Sequence, residues 1–230
     1  MSGFDYIKNN YLALREELRC IAASQNRPTP TLVCVTKSGT DEELIALAKA
    51  GATDIGENRP QELKRRCELL LANGLSPKFH QIGTLQRNKV KTVIDSASLI
   101  HSVDSLKLAK DIDRLAEARG TVMPILLEIN SAKEENKSGI FPEDAEKLLV
   151  EISELKNVTI KGLMTMGPVC DDAEDIRPYF RLTKKLFDEL NEKYGFGEDP
   201  ILSMGMSDSY RVAIEEGSTL VRVGRRLFIK

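Results

Sequence analysis

Tryptophan is absent from the 230 residues, and histidine occurs only twice, as His80 and His101. Two imidazoles leave a zinc centre little to be built from. The four cysteines, Cys20, Cys34, Cys67 and Cys170, show no CxxC spacing. That scatter argues against a disulfide framework and fits buried thiols in a reducing compartment. An excess of one charge is missing too. Thirty-three basic residues against 35 acidic ones leave a net charge of −2, so there is no general electrostatic reason to bind nucleic acid or an anionic membrane. No apolar run is long enough to span a bilayer, and the N-terminus carries no apolar signal region. These absences set the expectation of a soluble cytoplasmic protein, a monomer or weak dimer, with neither nucleic acid nor membrane as a partner.

What the chain does contain is a steady alternation. After an amphipathic stretch at 5–23, with Ile7, Tyr11, Leu14, Leu18 and Ile21 at helical spacing, come eight short apolar runs: 31–36, 52–55, 78–82, 99–103, 123–129, 159–164, 201–204 and 219–223. Helical patterns fill the gaps, at 41–50, 60–71, 87–94, 105–118, 142–155, 176–194 and 209–215. Such alternation predicts a parallel sheet buried on both faces. Eight strands with no composition shift between them predict one domain over residues 1–230. The expected fold is a (β/α)8 TIM barrel with an extra N-terminal helix covering the flank where the chain ends. An open doubly wound sheet would place its glycines after the first strand, whereas here Thr36-Lys37-Ser38 follows that strand and the glycine-rich turns come last.

Those turns, in ILSMGMSDSYRVAIEEGSTLVRVGRRLF at 201–228, follow strands seven and eight. Gly205 and Gly224 end the two apolar runs, Ser207 and Asp208 are read as opening a short helix, and Gly217 as closing it. Glycines admit close backbone approach, and a barrel of this kind often holds phosphate after strands seven and eight. A phosphate is therefore expected between these two strand ends, with a hydroxyl from Ser207 and fixed charge from Arg222 and Arg225, and Met206 and Gly224 are counted among the predicted binding residues. At the same rim Lys37 ends strand one. A lysine there either snorkels to solvent or, partly desolvated, serves as an imine-forming nucleophile. His80 is expected either to hydrogen-bond across the mouth or to be satisfied structurally. Lys137 is read as a solvated loop lysine or a charge for a ligand. The basic run 87–91 is read as a solvated helix face.

The segments VCVTK (33–37), GENRPQE (56–62), FHQIGTLQRNK (79–89), LLEINSAKEENKSG (126–139), KGLMTMGP (161–168), LSMGMSDSYRVAIEEGST (202–219) and VRVG (221–224) together resemble the pyridoxal phosphate homeostasis proteins, which share the barrel of alanine racemase. The resemblance runs over nearly the whole chain. It implies that pyridoxal 5'-phosphate (PLP) is bound, with Lys37 as the Schiff-base lysine and Asn58 beside the ring. Ser207 and the backbone near Gly224 and Arg225 would hold the phosphate, and Arg222 would face the pyridine nitrogen. It also implies a non-catalytic carrier that buffers PLP and delivers it to apo forms of PLP-dependent enzymes. Arg225 stands where the family usually has a small hydroxyl residue, Phe79 replaces a usual tryptophan, and the tail LFIK lacks the usual FG. A PLP-dependent amino-acid racemase is the alternative reading. It needs an opposed acid–base group such as a tyrosine, and the five tyrosines fall mostly in helical patterns. A sugar-phosphate aldolase using Lys37 leaves Arg222 without a role.

Overall fold

Helix α1 (Asp5–Ser24) buries the face that carries Ile7, Tyr11, Leu14, Leu18, Ile21 and Ala22, as the 3.6-residue period demands. It leads into the alternation in a computed structural model that describes residues 3–168 and 170–230. The strands are β1 (Thr31–Val35), β2 (Asp54–Glu57), β3 (Lys78–Gln81), β4 (Ala97–Val103), β5 (Met123–Ile129), β6 (Val158–Thr165), β7 (Ile201–Ser203) and β8 (Leu220–Val223). Between them lie α2 (Asp41–Lys49), α3 (Pro60–Ala72), α4 (Val90–Val93), α5 (Leu106–Glu117), α6 (Ala145–Ser153), α7 (Arg177–Tyr194) and α8 (Tyr210–Glu215). The strands pair in sequence order and in parallel, and β8 returns to β1, closing the (β/α)8 barrel. No helix among the described residues is long and apolar enough to cross a membrane.

Some boundaries move from where periodicity places them. Strand β2 runs two residues later than the apolar run, because its ladder with β3 begins at Asp54 opposite Lys78. Helix α8 opens at Tyr210 with Ser209 at its N-cap, not at Ser207 or Asp208. Met206 is the cause. Its carbonyl accepts from the Ser209 and Tyr210 amides, and its amide donates to Ser209 Oγ (3.1 Å), so a turn occupies 206–209. A 3-10 turn, Arg225–Leu227, follows β8, where periodicity shows no helical pattern.

The flank beside β8 is covered as expected. Asn10 Nδ2 of α1 donates to the carbonyls of Leu227 (3.3 Å) and Ile229 (2.7 Å), and Tyr210 of α8 donates to Glu17 of α1. Alternate strand residues divide between two interiors. Ile55, Phe79, Ile100, Ile125, Leu127, Val221 and Val223 belong to the large apolar core. Leu99, Leu126 and Met164, with Ile201 against them, form a small separate cluster. The same alternation places Asp54, His80, His101, Ser203 and Arg222 on the face opposite the large core, among the residues enclosed by the barrel.

Candidate functional site

The C-terminal ends of β7, β8, β1 and β2 bring most of the predicted residues onto one arc. Cys34 lies opposite Val223 and Val35 opposite Gly56, so Lys37, Gly224 and Asn58 follow adjacent strand ends. Strand β8 comes very near β1 there. A Cβ on Gly224 would meet the Val35 carbonyl oxygen at 2.8 Å, so no larger residue fits without movement. The Gly224 amide donates to Ser207 Oγ at 3.4 Å, joining the two halves of the predicted grip. Gly205 has φ +94, and a Cβ on it would lie 2.5 Å from that of Ala213. Only glycine suits that turn. The first bond of the 3-10 turn runs from Leu227 N to Gly224 O, so the amides of Arg225 and Arg226 precede it and are not consumed by it. The Arg225 guanidinium is paired with the Asp208 carboxylate on the surface.

Lys37 is exposed at the mouth, in the turn that follows β1, which is the solvated one of its two readings. Among the described residues its Nζ has no hydrogen-bond or ion-pair partner. Its turn, in contrast, is clamped. Arg66 of α3 is buried and donates from Nη1 to the Thr36 carbonyl and to Glu57 Oε1 (2.8 Å), and from Nη2 to the Gly39 carbonyl (2.8 Å). Thr36 Oγ1 also donates to Glu57. Burial pushes the Glu57 carboxyl up, against the hydrogen bond from Thr36 and the charge of Arg66. Asn58 is held through its carbonyl, which accepts from Gln81 Nε2 (3.0 Å), and the same amide reaches Gly83 O at 2.9 Å.

Arg222 is buried inside the barrel and donates from Nη1 to Ser203 Oγ and from Nη2 to Thr165 O (3.0 Å). Both acceptors are neutral. Burial pulls its pKa down to about 10, with the Glu128 carboxylate pulling the other way. His80 does not reach across the mouth. It bonds inward to His101 and Asp54. A cavity of about 770 Å³ opens beside the arc, lined by Glu128, Asn130, Lys137, Met166, Met206 and Ser209 among others. Of the predicted site residues Met206 lines it, and Lys37 and Asn58 do not. Lys137 donates to Glu134 (2.7 Å), and its Nζ is 3.5 Å from Gly167 O. Arg87 of the basic run pairs with Asp111. Sequence reasoning missed Arg66, although Leu63, Arg66 and Leu70 lie on one buried stripe of α3 and a charge on such a stripe is a legible signal. His101, Ser203 and Glu128, inward positions of β4, β7 and β5, were also passed over.

Comparison with known proteins gives the family. The alanine racemase N-terminal domain family matches residues 10–229. The pyridoxal phosphate homeostasis protein of Aquifex aeolicus is 40% identical over 93% of this chain and 92% of its own length. That of Helicobacter pylori strain 26695 is 39% identical over 86% of each. PipY of Synechococcus elongatus, solved with PLP bound, superposes with a TM-score of 0.84 at 30% identity, covering 97% of this chain and 100% of that one. The barrel, the rim motifs and these likenesses agree: the chain belongs to the pyridoxal phosphate homeostasis proteins, built on the alanine racemase N-terminal domain.

Proposed function

We propose that this protein binds PLP at the β7–β8–β1–β2 arc and serves as a non-catalytic store that hands the cofactor to apo-enzymes. The carrying observation is the buried Arg222, a cation whose hydrogen bonds go only to neutral acceptors. A guanidinium so placed has donors suited to a ligand acceptor, and among the described residues no carboxylate forms an ion pair with it, Glu128 acting on it only through charge. The donor set fits the cofactor elsewhere too. Ser207, the Gly224 amide and the turn amides of Arg225 and Arg226 suit a phosphate, and Lys37 supplies an amine on the next strand.

Bound, PLP supplies an aldehyde that condenses with amines and a phosphate that anchors it. Lys37 would supply the amine for that condensation, and Met206, Ser207, Gly224 and the Arg225 backbone would hold the phosphate. Asn58, fixed by Gln81, would stand beside the ring. Arg222 donates hydrogen bonds and accepts none, so it would favour an unprotonated ring nitrogen and disfavour carbanion chemistry. Four tyrosine hydroxyls are already engaged in the helix layer: Tyr6 with Glu43, Tyr11 with Gly51 O, Tyr194 with Glu146 and Tyr210 with Glu17. That supports a carrier over a racemase.

The test loads the protein with PLP, reduces it with borohydride and locates the label by peptide mass, expected on Lys37 and lost in Lys37→Ala. The same preparation is then offered to an apo-enzyme and, separately, to L- and D-alanine in D2O. Transfer without α-proton exchange is expected. Rapid exchange dependent on Lys37 would make the protein an enzyme.

A further inference from the structure

Five buried polar groups form a continuous chain across the barrel interior. Asp54 begins β2 at the N-terminal end of the barrel, and its Oδ1 lies 3.0 Å from His80 Nε2 on β3. His80 Nδ1 is 2.9 Å from His101 Nε2 on β4, and His101 Nδ1 is 3.0 Å from Ser203 Oγ on β7. Ser203 Oγ in turn accepts from Arg222 Nη1 on β8. Five strands away from the phosphate grip in sequence, the foot of β2 is thereby joined to the residue beneath the mouth.

Counting protons gives the chain a direction. A guanidinium has only donors, so Ser203 Oγ accepts from Arg222 and keeps its own hydrogen to give. Its acceptor is His101 Nδ1, which must be bare, leaving the His101 proton on Nε2. That proton is donated to His80 Nδ1, so His80 carries its own on Nε2 and donates it to the Asp54 carboxylate. Every group donates the same way, from Arg222 to Asp54, and both imidazoles are neutral. The opposite arrangement, with His80 an imidazolium, makes His101 Nδ1 a donor. Ser203, fully buried, would then accept twice and have no acceptor in the chain for its own hydrogen, which is costly in such a place. Burial, with the charge of Arg222, holds His101 well below the ordinary imidazole range. At the other end burial opposes the charge of Asp54, but hydrogen bonds from His80 and Thr53 prevail and its pKa is lowered.

We propose that Asp54 is a positioning residue for Arg222, acting through His80, His101 and Ser203 to select the one pair of tautomers in which Ser203 gives its own hydrogen to His101 while accepting from Arg222 Nη1. The guanidinium is thereby fixed, and its remaining donors are left for a ligand at the mouth. Only that last link rests on the PLP-binding reading given above.

The first measurement uses cofactor-free protein with nitrogen-15 histidine. Both rings should show protonated Nε2 and bare Nδ1 at neutral pH; a protonated His101 Nδ1, or an imidazolium at either ring, overturns the proposal. Asp54→Asn keeps an oxygen acceptor and should retain both tautomers. Asp54→Leu removes it, and its effect should appear remotely, as altered His101 nitrogen signals and faster solvent exchange of the Arg222 Nη protons. Unchanged signals there in folded Asp54→Leu would overturn the relay. PLP titration should then show a severalfold loss of affinity and a shifted absorption band for Asp54→Leu, with Asp54→Asn near wild type. Identical bands and affinities would refute the last link. If wild-type protein does not bind PLP at all, the functional reading fails while the nitrogen signals still decide the relay.

Discussion

Glu128 carries one oxygen that is satisfied and one that is not. Oε1 accepts from Ser138 Oγ at 2.8 Å, while Oε2 is buried with no partner among the described residues. Burial raises its pKa, helped by Asp104 and opposed by Ser138 and Arg222. The folded protein therefore binds this proton more tightly than the unfolded chain does. Its contribution falls as pH rises from the ordinary carboxyl value, about 4.3, through the raised one. Glu128→Gln removes the titration and keeps the acceptor for Ser138. In cofactor-free protein, urea midpoints at pH 4.5 and 7 should show a flatter profile for the variant, with a gain at pH 7 relative to wild type. An unchanged slope between the two pH values would mean that Glu128 does not titrate in this window. The residue was legible in LLEIN as an inward strand position, but its unpaired oxygen was not. That depends on which groups from β4, β8 and the 131–138 loop come near it.

At the scale of elements, α3 does more than cover the sheet. Its Arg66 ties β2 to the β1–α2 turn by holding Glu57 and the carbonyls on both sides of Lys37. The pair is almost fully enclosed, so removing one member leaves the other charge buried alone. Arg66→Met should lower the unfolding free energy by about 3–5 kcal/mol. It should also slow the condensation of PLP with Lys37 relative to wild type, because the turn that presents the amine loses its anchors. Equilibrium urea unfolding and stopped-flow absorbance measure the two effects separately. A full loss of stability with an unchanged condensation rate would limit the clamp to a structural role.

The whole molecule places its charged and glycine-rich rim at one end of a closed barrel and its apolar weight around the outside. If the grip of β7 and β8 anchors the ligand, phosphate should matter more than the ring. Charge-assisted hydrogen bonds contribute about 1.5–3 kcal/mol each, and a phosphate dianion collects several. Pyridoxal should therefore bind far more weakly than PLP in the same buffer, with the difference reduced by added inorganic phosphate. Equal affinities, measured by absorbance titration, would remove the grip from the site.

The period of the apolar residues determined the eight strands, their order and the barrel, because a strand buried on both faces and a helix buried on one each leave a pattern local in sequence. The rim motifs proposed Lys37, Asn58, Met206, Ser207, Arg222, Gly224 and Arg225 as candidates without coordinates. Tertiary structure alone decided the rest. Lys37 lies exposed above a turn held by a distant helix, α8 begins after a turn at Met206, and Arg225 turns to Asp208. His80 and His101 join a line from Asp54 to Arg222. Closure of the barrel is the physical reason: it brings inward side chains from β2, β3, β4, β7 and β8 within hydrogen-bond distance, and no local pattern records which of them will meet.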